Sequence, residues 1–193
     1  MGRYLAVMLD AVTVFCGSRR GRDPRYVVAA RELGTALARR GIRLVWGAGR
    51  VGLMGEVADA ALAAGGHLHG VIPEFLRTEE LLHPRLGAAE LTVTASLYER
   101  KRHLVERARA FIVLPGGLGT LDELFEVLTL RQLRQGAGRC GLLNVAGFFD
   151  PLLDHLRKTV AEGFADAAHL DELFVEREVE PLLQALEQAC DGA

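Results

Sequence analysis

A regular alternation of short β-branched runs with longer amphipathic stretches constrains this chain more than any other feature. The runs at 12–16, 43–46, 68–72, 91–94, 111–114 and 142–145 read as strands. The stretches at about 24–40, 53–64, 96–107, 120–134, 151–162 and 180–190 read as helices. When a helix carries the chain back between successive strands, those strands lie parallel and the helices cover the sheet. The pattern predicts an α/β fold: a Rossmann-like, doubly wound parallel sheet with helices on both faces. Asp23-Pro24 marks the first helix start, with an N-cap side chain before a proline whose fixed φ suits the first helical turn. A length of 193 residues fits one domain over 1–193, because Gly136-Ala137-Gly138 is too short to act as a linker and no repeat or low-complexity tract interrupts the pattern.

Charge and cysteine content narrow the function classes. A formal net charge of -2 offers no general attraction for nucleic acid or an anionic membrane, so phosphate recognition has to be local, as in a small-molecule pocket. Cys16, Cys140 and Cys190 are odd in number and have neither C-x-x-C spacing nor a histidine pair nearby, which argues against a disulfide framework and structural zinc and for a reducing, cytoplasmic setting. The opening Met1 to Asp10 is only briefly apolar and has no small-residue cleavage site; it reads as no signal peptide, and no run is long enough to span a bilayer. The six histidines show no metal-ligand spacing beyond the i, i+2 pair His67 and His69 and read as surface or core residues.

Three strand ends open into glycine: Cys16-Gly17-Ser18, Gly47-Ala48-Gly49-Arg50-Val51-Gly52, and Pro115-Gly116-Gly117-Leu118-Gly119-Thr120. In an open parallel sheet these ends share one edge, where backbone N–H groups and helix dipoles hold anions. Each loop could equally be a tight turn. The middle loop matches G-x-G-x-x-G, yet it follows the second strand and lacks an acidic residue about 20 positions on, which disfavours a dinucleotide. In the third loop Thr120 and Glu123 have capping-box spacing, so Glu123 could do no more than satisfy the Thr120 N–H. Upstream, Ser96-Leu97-Tyr98-Glu99-Arg100-Lys101-Arg102 starts a helix with three cations. Of the 23 Lys and Arg residues only Lys101 and Lys158 are lysine, so a compact charge at 101 stands out in an arginine-rich chain.

Glu99-Arg100-Lys101 followed by Pro115-Gly116-Gly117-x-Gly119-Thr120-x-x-Glu123 resembles the Lonely Guy (LOG) family of cytokinin riboside 5′-monophosphate phosphoribohydrolases. The resemblance extends from Phe15-Cys16-Gly17-Ser18 through Gly52-Leu53-Met54-Gly55, Gly70-Val71-Ile72-Pro73 and Leu142-Leu143-Asn144 to Gly163-Phe164. It implies a Rossmann-like homodimer, without metal or cofactor, that converts AMP or N6-substituted AMP to free base and ribose 5-phosphate. It further implies that Arg100 and Glu123 are the catalytic pair and that Gly116, Gly117, Leu118, Gly119 and Thr120 form the phosphate loop. Gly17 and Ser18 match first-loop phosphate contacts, and Glu80, Lys101 and Thr129 fall on substrate-contacting positions. Members have often been labelled lysine decarboxylases, but Lys101 sits in the Arg-Lys motif and not in a pyridoxal-phosphate context.

The chain departs from the family pattern at Arg109, where Asp is usual, and after Thr129. There Leu130-Arg131-Gln132-Leu133-Arg134 stands for Trp-Ala-Gln-Leu-Gly, and the following histidine and Lys-Pro are missing. Leu97 replaces a usual methionine and Ala48 a usual glycine. A non-catalytic nucleotide or cofactor carrier is the alternative reading, against which the retention of both Arg100 and Glu123 counts. The 120–134 helix carries Leu121, Leu124, Phe125 and Leu128 on one stripe, with Val127 and Leu130 widening it. That is more apolar surface than one sheet face covers, and it predicts a homodimer.

Overall fold

The computed structural model describes residues 9–79 and 81–191. The stretch read as lacking a signal peptide lies outside the described residues up to position 8, and Glu80 lies outside them too. Seven strands, β1 (Ala11–Phe15), β2 (Arg43–Trp46), β3 (Leu68–Pro73), β4 (Leu91–Thr94), β5 (Ala110–Val113), β6 (Arg139–Leu143) and β7 (Leu173–Glu176), form one sheet. Its order is β4-β3-β2-β1-β5-β6-β7, and every neighbouring pair is parallel. The connecting helices are α1 (Arg25–Arg39), α2 (Gly52–Ala63), α3 (Leu97–Glu106), α4 (Leu118–Gln132), α5 (Asp150–Ala161), α6 (Ala167–Asp171) and α7 (Val179–Asp191).

Period-2 alternation splits the core into two layers. Val12 and Val14 of β1 face α1, α2 and α7, packing with Leu33, Leu37, Val57, Leu182 and Leu186. Ala11 and Phe15 face the other way, toward Leu104, Leu124, Val127 and Leu156 on α3, α4 and α5. Thr13 lies between Ala11 and Phe15 and is fully buried; its hydroxyl donates to the Leu104 carbonyl at 2.7 Å, which ties α3 to the central strand. This is the doubly wound α/β sandwich read from the alternation. Among the described residues no helix is long and apolar enough to cross a membrane.

Most boundaries fall within a residue of the sequence reading; two are displaced further and two short elements are new, each for a local reason. The strand expected at 142–145 begins at Arg139, because Arg139 and Cys140 pair with Ala110 and Phe111; it stops where Asn144 turns the chain, bonding the Phe149 N–H and Asp150. α4 begins at Leu118 rather than Thr120, with Gly117 as its N-cap. α6 and β7 were not anticipated, since a five-residue helix and a four-residue, half-covered edge strand are too short to show a period amid the charges of 162–178. Asp23 still serves the start of α1, accepting from the Arg25 N–H at 2.9 Å.

α1 and α2 pack unusually closely at Gly34, where an added Cβ would lie 2.2 Å from the Val57 carbonyl oxygen. On an open helix Gly→Ala stabilises by about 1 kcal/mol. Here the helices must part, and we expect Gly34→Ala to destabilise the fold by about 1–3 kcal/mol. A urea midpoint that stays level or rises in that variant would contradict the packing.

Candidate active site

The strand order brings the first and third glycine loops together. Phe15 of β1 pairs with Val113 of β5, the Leu114 N–H donates to the Phe15 carbonyl at 2.9 Å, and the Gly17 N–H donates to the Pro115 carbonyl at 3.1 Å. A Cβ on Gly116 would sit 2.2 Å from Thr120 Oγ1 and 2.9 Å from the Gly17 nitrogen, so any side chain there would force the loops apart. The second loop closes from below. Gly52, at φ +62°, lies against the Ser18 and Arg19 backbone, and the Leu53 N–H donates to the Gly17 carbonyl at 2.9 Å.

Above these contacts a cavity of about 470 Å³ opens between Gly17, Ser18, Gly116, Gly117 and Leu118. Gly117 and Gly119 border open space. The N-terminus of α4 carries no side-chain cap, so its first N–H groups are left for a ligand. Thr120 is buried in that first turn. Because α4 starts at Leu118, Thr120 is not its N-cap, and the capping-box reading of Thr120 and Glu123 does not hold.

The Glu123 carboxylate points instead to Arg100, with Nη1–Oε1 at 2.9 Å and both side chains largely buried. Arg100 is fixed twice more: its Nε donates to the Val71 carbonyl at 3.2 Å, and its guanidinium passes so close to Gly47 that a Cβ there would lie 2.1 Å from Nη2. The glycine of the second strand end therefore makes room for the arginine. Burial pushes the Glu123 carboxyl above the ordinary glutamate range, and the Arg100 charge and hydrogen bond oppose that rise without cancelling it. Beside them the Cys16 thiol is buried and held neutral. Lys101 lies one residue on, at 3.2 Å from Asp122 and also paired with Glu126, contacts that raise its pKa.

The other residues picked out from the sequence divide. Ser18 is exposed at the cavity mouth and Leu118 is 87% exposed beside it. Thr129 is exposed on α4, roughly 9 Å along the helix from Glu123, and does not join the pair. Sequence reasoning passed over Arg19, Arg20 and Glu56. The two arginines line the cavity. Buried Glu56 holds Arg20 at 2.6 Å and Arg31 at 2.7 Å. A lone glutamate in the apolar stretch Gly52–Ala63 was the available signal. Among the described residues no cluster of His, Cys, Asp and Glu could hold a metal.

Fold and site together define a Rossmann-like α/β protein with a glycine-lined sheet edge and a buried arginine–carboxylate pair near it. The family model described as "Possible lysine decarboxylase" matches residues 54–186. A probable cytokinin riboside 5′-monophosphate phosphoribohydrolase of Oryza sativa subsp. japonica is 48% identical over 153 residues, 79% of this chain and 61% of the rice protein. The cytokinin riboside 5′-monophosphate phosphoribohydrolase of Rhodococcoides fascians is 42% identical over 177 residues, covering 91% of this chain and 88% of that one. The chain belongs to the LOG family. The molybdenum cofactor carrier protein of Chlamydomonas reinhardtii shares the fold at 20% identity, with a TM-score of 0.71 over 94% of this chain and 98% of that one.

Glu123 should titrate above an ordinary glutamate in side-chain carboxyl NMR, and Arg100→Leu should move it higher, since burial then acts unopposed. The linkage to folding has a matching sign. The folded state holds this proton more tightly than the unfolded chain, so this group adds stability as pH falls from above its folded pKa to the ordinary carboxylate value. Titration of Glu123 at or below the ordinary range would refute the burial.

Proposed function

We propose that this chain is a nucleoside 5′-monophosphate phosphoribohydrolase, cleaving the N-glycosidic bond of AMP or an N6-substituted AMP to free base and ribose 5-phosphate. The observation that carries the reading is the buried Arg100–Glu123 pair, with Arg100 packed against Gly47 of the second glycine loop and Glu123 on the helix that the third loop begins. The names of the rice and Rhodococcoides relatives support it.

The 5′-phosphate would rest on the N–H groups of Gly116, Gly117 and Gly119, beside Gly17, whose own N–H is taken by the Pro115 carbonyl, with the α4 dipole and the Thr120 turn behind them. As the C1′–N bond breaks, its electron pair leaves with the base, and positive charge develops on the ribose. Glu123, in a low-dielectric site, is the group to stabilise that charge and to take the proton from the attacking water. Arg100 keeps the carboxylate ionised and oriented, with the bidentate reach that lysine lacks. Lys101, Glu80 and Thr129 are proposed as further substrate contacts. A carrier role like that named for the Chlamydomonas protein rests on fold likeness alone and gives the buried pair no task.

We also propose a homodimer. Leu97 and Tyr98 of α3 and Phe125 of α4 are 49%, 77% and 40% exposed, an apolar strip on the two helices that carry Arg100 and Glu123. Three free, buried cysteines suit a reducing compartment such as the cytoplasm.

Free base should be released from AMP and not from adenosine; equal turnover of the two would remove the phosphate anchor from the mechanism. Glu123→Gln should still fold and bind AMP, though it should melt lower because buried Arg100 loses its countercharge, while turnover falls by about 10²-fold or more; wild-type turnover in that variant would favour the carrier. In sedimentation the chain should run at about twice its mass, and Phe125→Glu should shift it toward the monomer; a wild-type monomer of full activity would sink the dimer.

A further inference from the structure

A cavity larger than the one at the glycine edge lies away from it. It opens at the amino end of the sheet, where β5 and β6 begin, has a volume of about 680 Å³, and is lined by Arg109, Arg131, Arg134 and Arg139 with His169 and Glu172. We propose that this cavity is a second binding site, for a compact polyanion of the diphosphate class.

The four cations are not equally occupied. Arg131 is spent on structure, pairing with Glu172 and donating to the Gly138 carbonyl. Arg109 faces Asp10 only at 3.9 Å, with both side chains exposed. Arg134 and Arg139 have no carboxylate within ion-pair distance among the described residues, so the cavity presents two uncompensated guanidiniums and a third loosely held. Guanidinium forks match phosphate oxygens in pairs, and a ligand with two or more negative charges is what such a cluster favours. Their placement is rigid on one side, because the Arg139 N–H donates to the Arg109 carbonyl at 3.0 Å, making the two residues neighbours across β5 and β6. The wall also holds an enclosed polar atom: His169 Nδ1 has no hydrogen-bond partner among the described residues.

The backbone at Arg134 is an independent observation. α4 ends in a Schellman turn, with the Gln135 N–H bonded to the Leu130 carbonyl at 2.8 Å and the Arg134 N–H to the Arg131 carbonyl at 2.9 Å. The turn needs a left-handed residue, and Arg134 supplies it at φ +55°. Glycine adopts that conformation without strain, and glycine is what the LOG pattern has there. An arginine at this position accepts strain, and its guanidinium lines the cavity. Arg109 and Arg131 also stand where the pattern differs, so three departures that the proposed hydrolysis does not use converge on one cavity.

The test is calorimetric titration of pyrophosphate, and separately of ADP, into the wild type, Arg134→Gly and Arg134→Gly/Arg139→Ser. Any binding at the glycine edge is common to all three proteins, so the difference isolates the cavity. Arg134→Gly relieves the left-handed strain and should melt at or above the wild-type temperature, while pyrophosphate affinity falls, by about tenfold or more in the double variant. Equal losses for pyrophosphate and ADP assign the diphosphate group itself, and a larger loss for ADP assigns a nucleotide; either keeps the site. Unchanged binding in both variants overturns it, as does an equal loss in Arg157→Ser, which removes an exposed cation from α5.

Discussion

The parallel pairing of β1 with β5 is the constraint on which the rest of the structure depends. Their order reverses the winding of the chain, and at that switch point the first residues of the two loops touch before their helices part to opposite faces of the sheet, α1 to one core layer and α4 to the other, leaving a crevice between them. Hydrogen bonds set the register as far as Phe15 and Val113, and the Gly17 N–H continues it to Pro115. Residues 98 positions apart in sequence are thus in backbone contact, which is why Gly116 tolerates no side chain and Gly17 is tightly packed, while Gly117 and Gly119, facing the opening, meet nothing. The same word in the sequence, glycine, has two structural meanings within four residues.

The Arg100–Glu123 pair ties together three elements, since Arg100 comes from α3, Glu123 from α4, and a second Arg100 bond goes to Val71 in β3. A buried pair of this kind gives little net stability when intact, yet removing one partner alone costs about 3–5 kcal/mol because the other charge is left uncompensated. The neighbouring ion pairs, Lys101 with Asp122 and Glu126, and Glu56 with Arg20 and Arg31, hold cations around the same edge. Charge at this edge is anchored charge, in keeping with a chain whose overall balance is close to neutral.

Much of this was legible beforehand. The period-2 and helical patterns located six of the seven strands and six of the seven helices, because each of those is long enough or apolar enough to show its period. β7 was missed since Leu173–Glu176 is a short edge strand covered on one face by partly exposed residues. The sequence reading reached Arg100 and Glu123 through a motif, but its local alternative for Glu123 failed on a shift of two residues in the helix start, which no propensity marks. Glu56 left only the signal of a lone glutamate in an apolar helix, and the cavity at Arg109 left none, because it joins residues from distant elements that only the sheet order brings together.

The strand order also carries a consequence for synthesis. Of the described strands β1 is made before the others and ends at the centre of the sheet, and β2, β3 and β4 then add outward in the order they are made. That half can assemble while the rest of the chain is still being translated. The other flank of β1 stays open until β5 arrives, so an apolar strand edge waits through nearly a hundred residues of growth. Closing that edge and bringing Glu123 to Arg100 are successive parts of one docking event, and the nascent chain acquires its buried ion pair as it covers an open strand edge.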